Sequence, residues 1–296
     1  MGSNFKIFSA ISIAKYLDKK FLLSVDTKIK AFLFSILIRL SNIETWGMLF
    51  YRGAIPFMVV LIGLILFYRS NFFNAIIGIG YPGIFYVVSF SICNITFIIS
   101  IQNTNVANTL VMIAMAPMIS AILGSIFLKE VPDQKTWIAI IITLIAVGYI
   151  FHDSIEMGNF YGDLFGLITA FGLACNAVIA RYAKNRDLVP SAVIGKLCVA
   201  VFAFFFVDTF ALVEKDIIYV PLMCVMCVAI PFVLVTIAPR YIPAEEVNLF
   251  FLLETIIGPF WVWLIINEQP SIETIQGGTI IILTIAVHSF IKIKKS

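Results

Sequence analysis

Charge is scarce in this chain. Only 12% of its 296 residues are Asp, Glu, Lys or Arg, where a soluble globular domain carries about 25%. Two histidines, His152 and His288, lie far apart in sequence and form no metal motif. A soluble core of this size needs a polar shell, and there is too little charge to build one. A soluble enzyme, a nucleic-acid-binding domain and a secreted disulfide scaffold are thereby excluded. No G-x-x-x-x-G-K-[ST], G-x-S-x-G or H-E-x-x-H occurs, so neither nucleotide chemistry nor a familiar hydrolase constellation is indicated. No cofactor motif is present, and none is expected. The five cysteines, Cys93, Cys175, Cys198, Cys224 and Cys227, all sit in apolar stretches. Cys224 and Cys227 form a C-x-x-C, but without a second ligand pair they read as packing residues.

What fills the chain instead is apolar. It is 61% hydrophobic with a mean hydropathy of +1.04. A membrane-spanning helix needs about 20 mainly apolar residues. Nine such stretches are plain: Trp46–Tyr68, Ile76–Ile101, Ala107–Leu128, Trp137–Phe151, Tyr161–Ala183, Ala192–Phe210, Tyr219–Pro239, Ala244–Ile266 and Ile272–Ile291. A tenth, Phe21–Leu40, precedes them and carries Asp26, Lys28 and Lys30 ahead of its apolar run. Trp137–Phe151 is short for a full span. The stretch Phe5–Leu17 reads as a surface helix, with Phe8, Ile11 and Ala14 at helical spacing.

The fold class expected is an all-α membrane protein of ten transmembrane helices, arranged as two inverted five-helix repeats. Residues 1–20 form a cytoplasmic N-terminal segment, 21–151 the first repeat, 161–291 the second, and 292–296 a basic cytoplasmic tail. The repeat is visible in register. Pro117-x12-Glu130-Val131-Pro132 closes the fourth span, and Thr255-x12-Glu268-Gln269-Pro270 closes the ninth. Met115-Ala116-Pro117 thus aligns with Leu253-Glu254-Thr255, and Ile145-Ala146-Val147 recurs as Ile285-Ala286-Val287. Five is odd, so the second half enters the membrane upside down. Inverted repeats with a site at their interface underlie alternating access.

Basic residues set the orientation. With both termini cytoplasmic, the inside collects Lys6, Lys15, Lys19, Lys20, Arg69, Lys129, Lys135, Arg181, Lys184, Arg186, Arg240, Lys292, Lys294 and Lys295. The loop His152–Asp163 carries Asp153, Glu156 and Asp163 and no basic residue, as an outside loop should. A bacterial inner membrane is the expected location. Small residues recur every fourth position at Gly162, Gly166, Ala170 and Ala174, and at Ala116, Ser120 and Gly124, as close helix packing in lipid requires.

This arrangement resembles the EamA branch of the drug/metabolite transporter superfamily. The resemblance rests on the ten spans, the five-plus-five repeat and the Pro117-x12-Glu130 signature. Asp26-x3-Lys30 is similar to the family's first-span D-x-x-x-K, and Tyr51-Arg52-Gly53 to its second-span arginine. Segments Ala238–Val247 and Leu252–Pro259 are similar to the matching part of its second repeat. Ala116 departs from the pattern, where many members place a glutamate before the proline. The resemblance implies a secondary carrier for amino acids, nucleosides, drugs or other small metabolites.

Ionisable groups inside a membrane are costly and mark function by default. Glu254 sits at the middle of the ninth span, too deep to reach the surface, with Phe251, Gly258 and Trp261 along its face. It is the leading substrate-site candidate. Asp26 and Lys30, four apart, pair on one helix face or open to substrate. Arg52, near the outer end of its span, anchors outward or gates. Lys196 lies one turn inside its span and is expected to snorkel to the surface. Asn94, Asn108 and Asn176 either bond between helices or face a cavity. Tyr86, Trp261 and Trp263 are candidate cavity walls. Pro56, Pro82, Pro117, Pro231 and Pro259 interrupt spans and kink them or let them flex.

The function expected is secondary active transport of a small polar or amphipathic metabolite, an amino acid or relative first. A gradient or exchange supplies the energy. The alternative is a channel or scramblase-like passive pathway; an enzyme is not expected. Partners are the small-molecule substrate and membrane lipids, with no nucleic acid, and the chain acts as a monomer or homodimer.

Overall fold

The computed structural model describes residues 43–129, 133–183, 186–213, 216–237, 263–264 and 269–295. Every regular element among them is helical. In chain order the helices are α1 (Thr45–Tyr68), α2 (Phe72–Ile77), α3 (Gly80–Asn103), α4 (Val106–Ile113), α5 (Ala116–Phe127), α6 (Gln134–Met157), α7 (Phe160–Tyr182), α8 (Val189–Phe204), α9 (Asp216–Met223), α10 (Ile230–Ile237) and α11 (Ile272–Lys295). Six stretches are long and apolar enough to cross a membrane: Thr45–Leu66, Gly80–Asn103, Val106–Phe127, Gln134–Asp153, Phe160–Tyr182 and Asp216–Val233. Val189–Phe204 and Ile272–His288 are shorter apolar helices. The protein is therefore a multi-pass integral membrane protein. The expected first span, Phe21–Leu40, lies outside the described residues, as does nearly all of the ninth, Ala244–Ile266.

Three local outcomes differ from the sequence expectation. The stretch Trp137–Phe151 looks short, yet α6 runs 24 residues, to Met157. Its last turns carry polar residues, so apolarity understates its length. The expected loop His152–Asp163 is accordingly only a turn at Gly158–Asn159. Gly158 takes φ +77 there, a left-handed conformation that glycine adopts without a Cβ penalty. Helix α8 stops at Phe204, short of the expected Phe210. The chain beyond it folds back over α1. Phe206 stacks on Trp46 at 4.8 Å, and the Phe210 carbonyl accepts from the Tyr51 hydroxyl at 2.7 Å.

Two spans are broken by their prolines. Val106–Phe127 is interrupted at Ala114–Met115, between α4 and α5. Pro117 lacks an N–H, and its ring crowds the carbonyl four residues back, at Ile113. The second break joins α9 to α10 through a π-helical stretch, Cys224–Ala229, flanked by Pro221 and Pro231. Such stretches widen the helix and are frequent at functional sites.

Packing follows the small residues. Gly162, Gly166, Ala170 and Ala174 are all buried along α7, which lies against α3, α4 and α5. A Cβ on Gly162 would sit 2.6 Å from the Asn103 carbonyl, and one on Gly172 2.9 Å from Cys93 Cβ. The helices also bond across this contact, through Thr96 to Thr169 at 2.8 Å and Ser89 to the Gly172 carbonyl at 3.0 Å. The second small-residue stripe behaves differently: a Cβ on Gly124 would meet no described residue within 4 Å. Two further pairings complete the frame. Helix α1 packs on α8, where a Cβ on Gly53 would lie 2.6 Å from the Ala200 nitrogen. Helix α6 packs on α11, where one on Gly277 would lie 2.6 Å from Ile150.

Candidate functional site

The buried cations lead to the site. Lys196 does not snorkel: it is 1% exposed, on the face of α8 that meets α3 and α10. Its ammonium donates to Asn94 Oδ1 at 2.5 Å and lies over two rings, 5.4 Å from the centre of Phe90 and 5.8 Å from that of Phe232. A ring face attracts a cation through its quadrupole, more strongly when both are desolvated. Asn94 is held in turn by its own helix, donating to the Phe90 carbonyl at 2.7 Å.

Arg52 is buried too, rather than reaching the membrane surface. Its guanidinium lies over Phe97 at 5.5 Å. The two cations come from neighbouring helices, and Cys224, at the start of the π stretch, lies within electrostatic reach of both. Helix α3 supplies most of the facing wall. Tyr86, Phe90, Asn94 and Phe97 recur at helical spacing along it. Tyr86 stacks on Phe90 at 5.8 Å, is buried, and bonds to the Thr236 side chain. One wall of α3, one cation from α1 and another from α8, and a ring from α10 thus converge. This arrangement can hold an anionic group against fixed positive charge beside apolar ring faces.

The other sequence candidates fall elsewhere. Asn108 lies at the far end of the bundle, bonded to Asp163 and Thr274. Asn176 is buried on α7, and its Oδ1 has no hydrogen-bond partner among the described residues. Trp263 is exposed. Glu254, Trp261, Asp26 and Lys30 lie outside the described residues. Sequence reasoning missed Lys196 as a site residue. A lysine one turn inside a span end can reach the surface, and only the packing of α3 and α10 over it decides otherwise. Phe90, Phe97 and Phe232 were not separable from the chain's 28 phenylalanines by sequence.

The EamA-like transporter family model matches two stretches of the chain, residues 30–151 and 160–290. The chain belongs to the EamA-like transporter family. Its members are transporters of the drug/metabolite type, and the two matched stretches are the family's two-repeat architecture. No curated protein matches the chain. One solved crystal structure is similar in fold, with a TM-score of 0.65 at 10% sequence identity, covering 92% of this chain and 96% of that one. Within the EamA frame, α3 belongs to the first matched stretch and α8 and α10 to the second. The Lys196–Asn94 contact therefore joins the two repeats.

Proposed function

We propose that this protein is a secondary active transporter that moves a small polar or amphipathic metabolite by alternating access between two inverted five-helix repeats. The observation that carries the reading is the Lys196–Asn94 contact. It is buried, charged, flanked by rings, and built from both repeats. In transporters with inverted repeats, substrate sites sit at the repeat interface near the bilayer midplane. Ten spans related by a shift of five make the second and seventh spans each other's counterparts, and likewise the fifth and tenth. The packing of α1 on α8 and of α6 on α11 supports that relation.

The substrate class proposed first is an amino acid or a close relative. Its carboxylate would meet Lys196 and Arg52, and its apolar part the rings of Phe90 and Phe232. Glu254 is the proposed partner for its ammonium group. By repeat register Glu254 corresponds to Ala116, the first residue of α5, immediately after the break in the fourth span. Broken helices expose backbone groups near the midplane, which supports a central place for this carboxylate. Both termini are proposed to be cytoplasmic, in a bacterial inner membrane.

A panel of metabolites read by thermal shift in detergent, followed by counterflow in proteoliposomes, tests this. A ligand present at about a hundred times its Kd stabilises a protein by about 2.7 kcal/mol. A carrier gives saturable uptake accelerated by substrate on the opposite side. Flux without exchange acceleration would instead indicate a passive pathway.

A further inference from the structure

At the end of the bundle where α1 leads to α2 and α7 leads to α8, short turns from the two repeats hold each other. Arg186 and Asp187 lie between α7 and α8, within the second matched stretch; Tyr68, Gly78 and Gly80 lie within the first. The turn carrying the charged pair is fixed by its own bonds. The Arg186 N–H donates to the Ala183 carbonyl at 2.8 Å, and Asp187 Oδ1 accepts from the Val189 N–H at 3.0 Å. The second bond is an Asx turn leading into α8, and Asp187 Oδ2 accepts from the Tyr68 hydroxyl at the end of α1. Arg186 Nη1 donates to the Gly78 carbonyl at 3.2 Å, and its guanidinium rests on Gly80. Gly80 has φ +60, and a Cβ there would collide with Nη1, so the turn needs a residue that is both left-handed and bare.

Beneath these bonds lies an apolar layer built from both repeats. Leu64 of α1, Tyr86 of α3, Leu188 and Val189 at the start of α8, and Phe232 of α10 are buried in one cluster, with Tyr68 and Phe90 packed against it. Phe90 and Phe232 are the two rings over the Lys196 ammonium. The layer therefore runs from Lys196 to the ring of Tyr68, whose hydroxyl makes the outer bond. Ser191, at the start of α8, is completely buried, with its Oγ 2.7 Å from where a Cβ on Gly83 would stand. Through this layer a polar solute reaches Lys196 only if α1 and α3 of one repeat part from α8 and α10 of the other.

We propose that Tyr68, Arg186 and Asp187 form a latch: their bonds between the repeats close the Lys196 site at this end, and the site opens here only when they break. The proposal rests on the transporter reading above, and it names residues that govern access rather than binding. A latch must both hold and let go. Each of these bonds joins a charged group to a neutral one, so it is stronger than a bond between neutral groups. Arg186 and Gly78 are exposed and Asp187 and Tyr68 half-buried, so water replaces the partners once they separate. The other end of α1 carries a similar bond between repeats, from the Tyr51 hydroxyl to the Phe210 carbonyl at 2.7 Å. Rocking of one repeat against the other opens one end while the opposite end stays shut, so the two tyrosines belong to different gates.

The reactivity of a buried thiol tests the latch without a substrate. Ser191→Cys is nearly isosteric and places a thiol inside the closed layer. The full-length protein in lipid nanodiscs is treated with a membrane-impermeant maleimide. Trypsin then releases Asp187–Lys196, in which position 191 holds the sole thiol. Modification in that parent is expected to be slow. Adding Tyr68→Phe keeps the ring in the layer and removes the outer bond. The rate is expected to rise at least about tenfold, as loss of a hydrogen bond to a charged group implies. Adding Tyr51→Phe instead is expected to leave the rate unchanged or lower it. Fast modification in the parent, an unchanged rate with Tyr68→Phe, or an equal rise with Tyr51→Phe each overturns the proposal, the last by showing general loosening. Arg186→Gln, read on Asn185–Lys196, serves should Tyr68→Phe not fold. It is expected to raise the rate several-fold, and no rise overturns the latch. A metabolite panel without a hit would count against the transporter reading and leave these rates as they are.

Discussion

Lys196 Nζ lies 2.5 Å from Asn94 Oδ1, and the two residues are contributed by different repeats of the family architecture. The ammonium sits between the rings of Phe90 and Phe232, where water has no access to it. Taking a charge out of water in this way costs desolvation free energy. Such a group is retained more readily where it serves a ligand than where it merely packs.

Replacing that charge separates the two roles. Lys196→Met keeps most of the side-chain volume and leaves Asn94 Oδ1 without its donor, at a cost of about 1–3 kcal/mol. The protein is expected to fold with a lowered Tm and to lose at least about tenfold in transport per folded molecule, since 1.4 kcal/mol of lost binding already corresponds to that factor. Unchanged counterflow from the folded fraction would reduce Lys196 to a packing role.

Close approach of α1 and α8 is specific to one glycine among the described residues. A Cβ on Gly53 would lie 2.6 Å from the Ala200 nitrogen and 2.9 Å from its Cα, whereas one on Gly63, in the same helix, would meet no described residue within 4 Å. Gly53→Ala is expected to force the helices apart at a cost of about 1–3 kcal/mol. Gly63→Ala is expected to leave the thermal midpoint unchanged or to raise it slightly, because alanine favours helix. Equal midpoints for the two variants would contradict the packing described.

Glu254→Gln preserves shape and removes charge. Under the proposed function the variant inserts and folds, but fails to transport or loses the pH dependence of transport. Proton and substrate ammonium compete for one carboxylate in that reading, so neutralising it uncouples them. Full pH-dependent transport by a well-folded Glu254→Gln protein would remove Glu254 from the site.

Topology is checked independently of substrate. A Ser296→Cys variant in whole cells is expected to resist a membrane-impermeant maleimide and to react after the cells are opened. External labelling would reverse the orientation drawn from the basic residues.

Composition and periodicity alone determined that this is a helical membrane protein, because a chain with 12% charge and 61% hydrophobic residues has few other ways to satisfy its backbone. The same local signals located the described spans to within a few residues and pointed to the family through Pro117-x12-Glu130 and its echo at Thr255-x12-Glu268. The small-residue face of α7 was also legible, since close packing needs glycine and alanine wherever it occurs. Helix ends were less so. Residues 152–157 extend α6 although they are polar, and Phe205–Phe210 leave the helix although they are apolar, because each follows contacts made elsewhere. The fate of the ionisable groups belonged entirely to tertiary structure. Lys196, Arg52 and Asp163 each sit near a span end, where sequence permits reach to the surface, and each is buried by helices distant in the chain. Desolvation and hydrogen bonding depend on what a neighbouring helix presents, and that neighbour is chosen by the packing of the whole bundle.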